Sequence, residues 1–284
     1  MLELYNNIFF ILFFKLLLKI MSQTRTNKTR EFYDNKEKIS HTESVVSSAR
    51  RYNNWIKSCL ISRFTQRGNT VLDFSGGRGE DLLKWSRNFP SFVLLTDYSE
   101  RSLAVATNRY KSQRSNYSFD LETKLIDANN FSVEDLGNYK FDVISCQFAI
   151  NYFDDIAKVF EIWNSVLKRS GRVIISYTSA EEIKKHPYGK FYSADIKKNG
   201  YNYTMSDTVN NVFEYFVSEE ELDKHAKKLK WKKKLSGSFR DFFDQEATKN
   251  ELIVFLKMVF PQQETFDEHN WQIISLYNFI VFEK

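Results

Sequence analysis

The sequence predicts an α/β fold built on a doubly wound, mostly parallel sheet. Short apolar runs of strand length alternate with segments of helical periodicity, and a glycine-rich turn joins the first run directly to a helix. The strand-like runs are residues 70–74, 92–96, 123–126, 141–147 and 172–177. The helical segments between them are residues 80–88, 99–112 and 156–167. Such alternation is typical of Rossmann-like sheets, which bind ligands at the carboxyl ends of their strands.

The composition fits one large folded domain. With 284 residues the chain can bury a substantial core, and its three prolines give no linker that would divide it. The net charge of +5 suits a polyanionic partner without identifying one. The only cysteines, Cys59 and Cys146, have no paired spacing, so neither a disulfide framework nor a metal site is predicted.

Residues 1–40 are predicted to be a poorly structured extension, followed by the folded domain over residues 41–284. The apolar stretch 8–20 is short and contains two lysines, so we expect no stable membrane insertion, and it lacks the pattern of a secretory signal. Residues 1–20 are either an extension from an upstream start or a helix on a membrane surface. Residues 21–40 are polar, without apolar periodicity, which indicates a mobile arm.

The domain is expected to begin with an amphipathic helix over residues 43–64. After residue 177 the strand and helix alternation ends, and the polar stretch 184–211 predicts an insertion that covers the active-site face. A strand over residues 212–217, a helix over residues 219–229 and a terminal strand over residues 273–282 complete the predicted elements.

The turn Asp73–Gly79, which reads DFSGGRG, has the composition of a nucleotide-binding loop. Its small residues allow a ligand to approach the backbone. The glycine spacing is not that of a dinucleotide fingerprint, and no Gly-Lys-Ser/Thr follows, which excludes a P-loop. The acidic Asp73 at the strand end suits the cationic sulfonium and amino group of S-adenosylmethionine better than a pyrophosphate. The alternative is a glycine turn without a cofactor.

Three further polar segments follow strand ends. Asp97 lies about 20 residues past the glycine loop, where a carboxylate can accept both ribose hydroxyl protons, or it caps the next helix. Asp127 would approach an adenine amino group, or it forms a turn. The segment 146–153, CQFAINYF, offers aromatic faces and hydrogen-bonding groups to a planar base, or it is an ordinary strand end.

From about Ser44 to Lys284 the chain resembles the messenger-RNA cap (guanine-N7) methyltransferase family. The resemblance rests on NNWIKS at 53–58, VLDFSGGRGEDL at 71–82, the strand-end Asp97 and Asp127, QFAINY at 147–152, VFEYFV at 212–217 and SLYNFIVF at 275–282. It implies that S-adenosylmethionine is held by Lys57, Asp73, Ser75, Gly77, Asp97, Asp127, Gln147 and Tyr152. It implies that the cap is bound by Asn53, Asn54, Arg78, Lys84, Arg109, Phe148, Asn151, Glu214 and Tyr277.

Within the cap-binding set, the resemblance assigns the phosphates to the basic residues and the guanine N1 and N2 protons to Glu214. The chain departs from the family pattern in three ways: Ser75 and Gly76 replace Gly-Cys, Arg78 replaces lysine, and Asn151 replaces histidine. Arg78 keeps the charge, whereas Asn151 can hydrogen-bond but cannot carry charge. The implied reaction is an in-line methyl transfer to guanine N7, which has no proton to remove, so no catalytic residue is predicted.

Two other functions stay open at this point. A catalytically silent cap-binding or regulatory subunit on the same fold would account for Ser75 and Asn151. A small-molecule methyltransferase would account for the sheet and the loop but not for NNWIKS, Glu214 and Tyr277 together. The resemblance implies capped RNA as partner and, since no Lys-x-Asp-Gly motif is present, other capping enzymes or an activating subunit. It implies the nucleus, or the cytoplasm for a viral or plasmid protein.

Overall fold

Strands and helices alternate along much of the chain. The structure, a computed structural model, describes residues 27–35, 44–246 and 267–284. The elements up to residue 178 are α1 (residues 27–35), α2 (Ser47–Phe64), β1 (Thr70–Asp73), α3 (Leu82–Ser86), β2 (Phe92–Asp97), α4 (Glu100–Ser112), β3 (Asp120–Leu125), β4 (Phe141–Gln147), α5 (Ile156–Val166) and β5 (Leu167–Thr178). Those that follow are α6 (Ala180–Lys185), β6 (Tyr188–Gly189), β7 (Tyr192–Lys197), β8 (Gly200–Met205), β9 (Val209–Tyr215), α7 (Glu219–Lys228), β10 (Lys232–Ser238), α8 (Phe239–Glu246), α9 (Glu268–Ile274) and β11 (Tyr277–Glu283).

A seven-stranded sheet forms the centre of the protein, with strand order β10-β11-β5-β4-β1-β2-β3. The first five strands predicted from the sequence, β1 to β5, pair in parallel. Within this sheet, β11 lies between β5 and β10 and runs antiparallel to both, so it points against the other six strands. The predicted doubly wound, mostly parallel sheet is confirmed. Because the chain winds outward from β1 to β3 and then returns to place β4 beside β1, the sheet has its switch point between β1 and β4.

Large aromatic side chains fill the core on both faces of this sheet. On one face, the rings of Tyr52 and Trp55 of α2 lie 5.4 and 5.8 Å from that of Phe243 of α8. On the other face, the rings of Phe74 and Trp163 lie 5.3 Å apart. Burying a side chain of this size contributes about 1.5–3 kcal/mol. This packing fixes α2 against one face of the sheet and holds Phe74, which follows β1, on the other.

The predicted insertion folds as a second, antiparallel sheet in the order β6-β7-β8-β9. Alternating side chains of its strands are buried, among them Tyr192, Ala194, Tyr201 and Tyr203. The polar composition concealed this pattern because lysines and asparagines occupy the exposed positions. Phe213 and Tyr215 of the edge strand β9, and Asp207 just before it, line the pocket described below. Of the predicted insertion itself, residues 184–211, only Asp207 is a lining residue.

The structure differs from the sequence predictions at both ends of the domain. Residues 27–35 form the helix α1, where a mobile arm was expected. Its contacts include hydrogen bonds and ring contacts to distant residues, which local periodicity does not reveal. Near the other end, Ile273 and Ile274 complete α9, and the terminal strand starts at Tyr277 rather than at residue 273. The two interpretations of residues 1–20 fall outside the described residues. Among the residues that are described, no helix combines the length and apolarity that crossing a membrane requires.

Candidate active site

A cavity of about 340 Å³ opens at the carboxyl ends of the parallel strands, at the switch point between β1 and β4. The turn after β1, the ends of β2 and β4, and the loop after β3 form one wall. Helices α1 and α2 and strand β9 form the other. All eight residues expected to hold the cofactor line this cavity: Lys57, Asp73, Ser75, Gly77, Asp97, Asp127, Gln147 and Tyr152.

The glycine-rich turn takes a conformation that brings its backbone close to the strand ends. Ser75 and Gly77 both have positive φ angles, of 58° and 57°. A Cβ atom on Gly76 would lie 2.9 Å from the carboxyl group of Asp73, so this position needs glycine. The N–H of Gly77 donates to Oδ2 of Asp97 over 2.9 Å. The turn therefore orients the carboxylate at the end of the second strand.

Asp97 is a buried acceptor at the end of β2. Its Oδ1 accepts the N–H of Ser99 over 2.9 Å. Burial raises the pKa of Asp97 to about 6, although these hydrogen bonds oppose the change. The side chain of Ser99, rather than Asp97, caps α4 by accepting the N–H of Ser102. The carboxylate is thus held by backbone donors and stays available to a hydroxyl-bearing ligand.

Asp73 lies at the end of β1, where the indole N–H of Trp85 donates to its Oδ2 over 3.1 Å. Burial, and then the nearby carboxylate of Asp81, raise the pKa of Asp73 to about 7. A buried carboxylate in this state binds a cation favourably, since a positive charge would lower its pKa again. The chemistry of this wall therefore fits a cationic ligand.

The structure adds Asp81, which the sequence analysis did not select. Its Oδ2 lies 2.9 Å from Nζ of Lys57, and its Oδ1 lies 2.5 Å from Nζ of Lys84. Burial opposes ionisation, but the two ammonium groups hold the pKa of Asp81 well below its usual range. Lys84 also donates to Oδ1 of Asn54 over 3.1 Å. The position of Asp81 at the start of α3 is the only sequence signal that could have identified it.

Glu214 of β9 forms a second polar centre beside the cavity and is 5 % exposed. The hydroxyl groups of Tyr201 and Tyr152 donate to its Oε2 and Oε1 over 2.5 and 3.1 Å. The hydroxyl of Thr178 lies 3.4 Å from Oε2. Burial outweighs these hydrogen bonds and raises the pKa of Glu214. The hydroxyl of Tyr33, on α1, lies 2.9 Å from that of Tyr152.

The structure places the expected cap residues in two groups. Arg78 and Phe148 line the cavity. The others are not among the lining residues: Asn53, Asn54, Lys84, Arg109, Asn151, Glu214 and Tyr277. Glu214 nevertheless contacts Tyr152 of the cavity wall. Arg109 donates to the carbonyl of Gly79, and Tyr277 packs edge-on against Phe148 with 5.0 Å between ring centroids.

Asn151 is 2 % exposed and makes contacts to the backbone. Its amide nitrogen donates to the carbonyls of Thr178 and Tyr215 over 3.0 and 3.1 Å, and its oxygen accepts the N–H of Thr178. It therefore joins the end of β5 to the end of β9. Residues that line the cavity without having been expected include Tyr33, Arg50, Asp81, Asp207, Phe213 and Tyr215. Within the described ranges, no cluster of His, Cys, Asp and Glu side chains could hold a metal ion.

Comparisons with known proteins agree on fold and family. A family model described as mRNA (guanine-N(7))-methyltransferase domain matches residues 19–197. The mRNA cap guanine-N(7) methyltransferase of Candida glabrata is 28 % identical over 266 residues, covering 78 % of this chain and 63 % of that protein. That of Schizosaccharomyces pombe is 31 % identical over 209 residues, covering 62 % and 58 %. The chain thus spans about three fifths of the length of these relatives.

Solved structures of methyltransferases share the fold. The magnesium protoporphyrin IX methyltransferase of Synechocystis, with bound S-adenosylmethionine, matches with a TM-score of 0.56 at 10 % identity, covering 92 % of this chain and 97 % of that one. An S-adenosylmethionine-dependent methyltransferase of Mesorhizobium loti matches with a TM-score of 0.54 at 14 % identity, covering 82 % and 98 %. At these identities the likeness establishes the fold alone.

Proposed function

Since this chain belongs to the mRNA (guanine-N7) methyltransferase family, we propose that it methylates N7 of the guanine in the 5′ cap of RNA, with S-adenosylmethionine as methyl donor. The observation that carries the proposal is that the cavity and the buried carboxylate of Glu214 lie side by side. A cavity lined by all eight expected cofactor residues adjoins the buried carboxylate of Glu214, which Tyr152 of the cavity wall contacts directly.

The cavity residues fit the proposed cofactor. Asp73 favours a cationic group, and Lys57 would pair with a carboxylate while Asp81 orients its ammonium group. Asp97, held by two backbone N–H groups, would accept the ribose hydroxyl protons. When bound, S-adenosylmethionine supplies an electrophilic methyl group. We assign to this cavity the eight residues of the sequence prediction together with Asp81.

Glu214 supplies the recognition of guanine. The N1 and N2 groups of guanine are adjacent donors, and a carboxylate accepts from both. Phe148 and Phe213 of the cavity wall offer aromatic faces for the planar base. Since N7 carries a lone pair and no proton, the side chains need only align the base and stabilise its developing positive charge. Within the described residues Glu214 has hydroxyl partners and no ion pair, so its negative charge is available for that purpose.

Arg78 and Arg50, the arginines that line the cavity, are the residues we propose for the cap phosphates. Asn53, Asn54, Lys84, Arg109, Asn151 and Tyr277 are proposed to act from behind the walls, by supporting the residues that touch the ligands. Capped RNA is the proposed partner, in a nuclear mRNA-processing role that other capping enzymes or an activating subunit would share. A viral or plasmid-encoded enzyme would act in the cytoplasm.

The proposal is tested by transfer of radiolabelled methyl from S-adenosylmethionine to GpppA-capped RNA. The full chain should form N7-methylguanine, and Asp97→Ala and Glu214→Gln should each lower kcat/KM by roughly a hundredfold or more, since each removes a charge-assisted contact in a dry site. Asp120→Asn, at an exposed position on the edge strand β3, is the matched control and should not change the rate. Cofactor and cap binding without transfer would support a silent subunit instead. Transfer to small molecules but not to capped RNA would contradict the cap assignment.

A further inference from the structure

Tyr201 of β8 lies directly opposite Glu214 of β9 in the antiparallel register of the second sheet. Its side chain is fully buried, and its hydroxyl donates to Oε2 of Glu214 over 2.5 Å, the shortest hydrogen bond that this carboxylate receives. The neighbouring Gly200 lets the two strands approach closely, because a Cβ there would lie 2.1 Å from the carbonyl oxygen of Glu214. The close approach of the two strands thus places the phenol of Tyr201 within hydrogen-bonding distance of the carboxylate of Glu214.

Among the described residues, the polar groups that contact the carboxylate of Glu214 are hydroxyl groups. The titratable side chains that face it come from α1, the segment after β4, β8 and β11, and all are tyrosines: Tyr33, Tyr152, Tyr201, Tyr203 and Tyr277. Burial raises the pKa of each of these phenols, so they are neutral donors at any physiological pH. A buried carboxylate without a cationic partner stays ionised only through the hydrogen bonds it accepts.

The hydrogen bonds also fix the direction of the carboxylate. Tyr201 and Thr178 both contact Oε2, whereas Oε1 has the single contact with Tyr152. Asn151 holds the backbone of Thr178 through both of its polar groups. Each carboxylate oxygen accepts about two hydrogen bonds. Among the described residues, Oε1 therefore has the most room for a further donor, on the side of Tyr152 and the cavity. The second contact of Oε2, with Thr178, is long at 3.4 Å, so that oxygen can also accept an N–H group of guanine.

We propose that Tyr201 is a positioning residue of the substrate site, whose hydroxyl keeps the carboxylate of Glu214 charged and oriented for the N–H groups of guanine. Tyr201 does not line the cavity and acts only through Glu214. The inference rests on the proposed function. It adds a specificity-determining contact on a strand that carries none of the residues implied by the family resemblance.

The test compares Tyr201→Phe with Tyr192→Phe, which removes a hydroxyl from the neighbouring strand β7 that donates to the carbonyl of His186. Tyr201→Phe should raise KM for GpppA-capped RNA roughly tenfold or more, the effect of losing a hydrogen bond to a charged group, and should leave KM for S-adenosylmethionine within about twofold. The acidic limb of kcat/KM for the cap should move up by about one pH unit. Tyr192→Phe should change neither.

The pH profile is measured at saturating cofactor because Asp73 and Asp97, whose pKa values are about 7 and 6, titrate in the same range on the cofactor side. Their contribution is the same in both variants. If Tyr201→Phe keeps the wild-type KM for the cap and the wild-type acidic limb, the inference is wrong. It is also wrong if both KM values rise together, as they would after a general loss of structure.

Thr178→Val provides a second variant if Tyr201→Phe does not fold. It removes the second hydroxyl that contacts Oε2, so KM for the cap and the acidic limb should shift in the same direction by a smaller amount. Thr178→Ser keeps a hydroxyl and should leave both at their wild-type values. An unchanged profile for Thr178→Val would overturn the inference. A wild-type protein that methylates no capped RNA would instead refute the proposed function, so the two failures are distinguishable.

Discussion

Replacing Asp73 by asparagine should raise the free energy of unfolding at high pH. Burial, together with the carboxylate of Asp81, raises the pKa of Asp73 from 3.8 to about 7 in the folded protein. In the unfolded chain the group returns to its ordinary pKa. The folded state therefore binds this proton more tightly than the unfolded state, and the ionised carboxylate lowers stability at a pH above both values.

The size and the sign of the effect follow from the two pKa values. Their difference corresponds to about 4 kcal/mol, which is present in full above about pH 7 and vanishes below about pH 4. Asparagine retains an oxygen that can accept the indole N–H of Trp85, now 3.1 Å from Oδ2. Asp73→Asn should therefore exceed the wild type by roughly 2–4 kcal/mol at pH 8 and match it near pH 4. The same variant should bind S-adenosylmethionine poorly.

Urea denaturation of both proteins without cofactor, at several pH values from about 4.5 to 8, measures this difference. Asp120→Asn serves as the control, because Asp120 has an exposed side chain and should give a small difference that does not vary with pH. A constant difference between Asp73→Asn and the wild type across this range would refute the reasoning. So would a variant that is less stable than the wild type at pH 8.

Two further predictions concern the supports of the site. Asp81→Asn leaves two buried ammonium groups without their shared anion, so it should lower the free energy of unfolding by about 3 kcal/mol and weaken cofactor binding. Urea denaturation measures the first effect and calorimetry the second. Unchanged stability would contradict the role given to these two ion pairs. Gly200→Ala should force β8 away from β9, and we expect it to lower Tm and raise KM for the cap. Gly237→Ala, whose Cβ would lie 3.6 Å from its nearest neighbour, should change neither quantity. Equal effects of the two substitutions would argue against the close strand approach.

Sequence alone predicted the parts of the molecule that depend on local pattern. The strands β1, β2 and β4 and the second half of β5 are apolar runs, and the glycine loop is recognisable from residues that lack a large side chain. The carboxylates Asp73, Asp97 and Asp127 follow strand ends, and a parallel sheet brings strand ends together. Local pattern and topology were therefore sufficient to place these three carboxylates in one cavity wall.

The other features depend on partners that are distant in the sequence. Tyr33 lies in a polar stretch without periodicity, and contacts with distant residues, such as Tyr152, 119 positions away, give it a place in the cavity wall. Lys84 has the charge expected of a phosphate ligand, but Asp81 and Asn54 engage its ammonium group. Asn151 lies in the segment expected to bind the cap, but its side-chain amide forms hydrogen bonds with the backbone of Thr178. Residue type predicts which groups a side chain can bind, whereas the fold decides which of them it meets.

The interior position of β11 has a consequence for the order in which the protein folds. β11 pairs with β5 on one side and with β10 on the other, and the side chains of Phe279–Phe282 are buried between the helical layers. During synthesis on the ribosome, β1 to β5 can pair before β11 emerges, but β5 then presents an unpaired apolar edge that could join another nascent chain. A chain that stops before residue 277 would keep this edge open. We therefore expect early termination to cause aggregation, even though most of the cofactor side would already have been made.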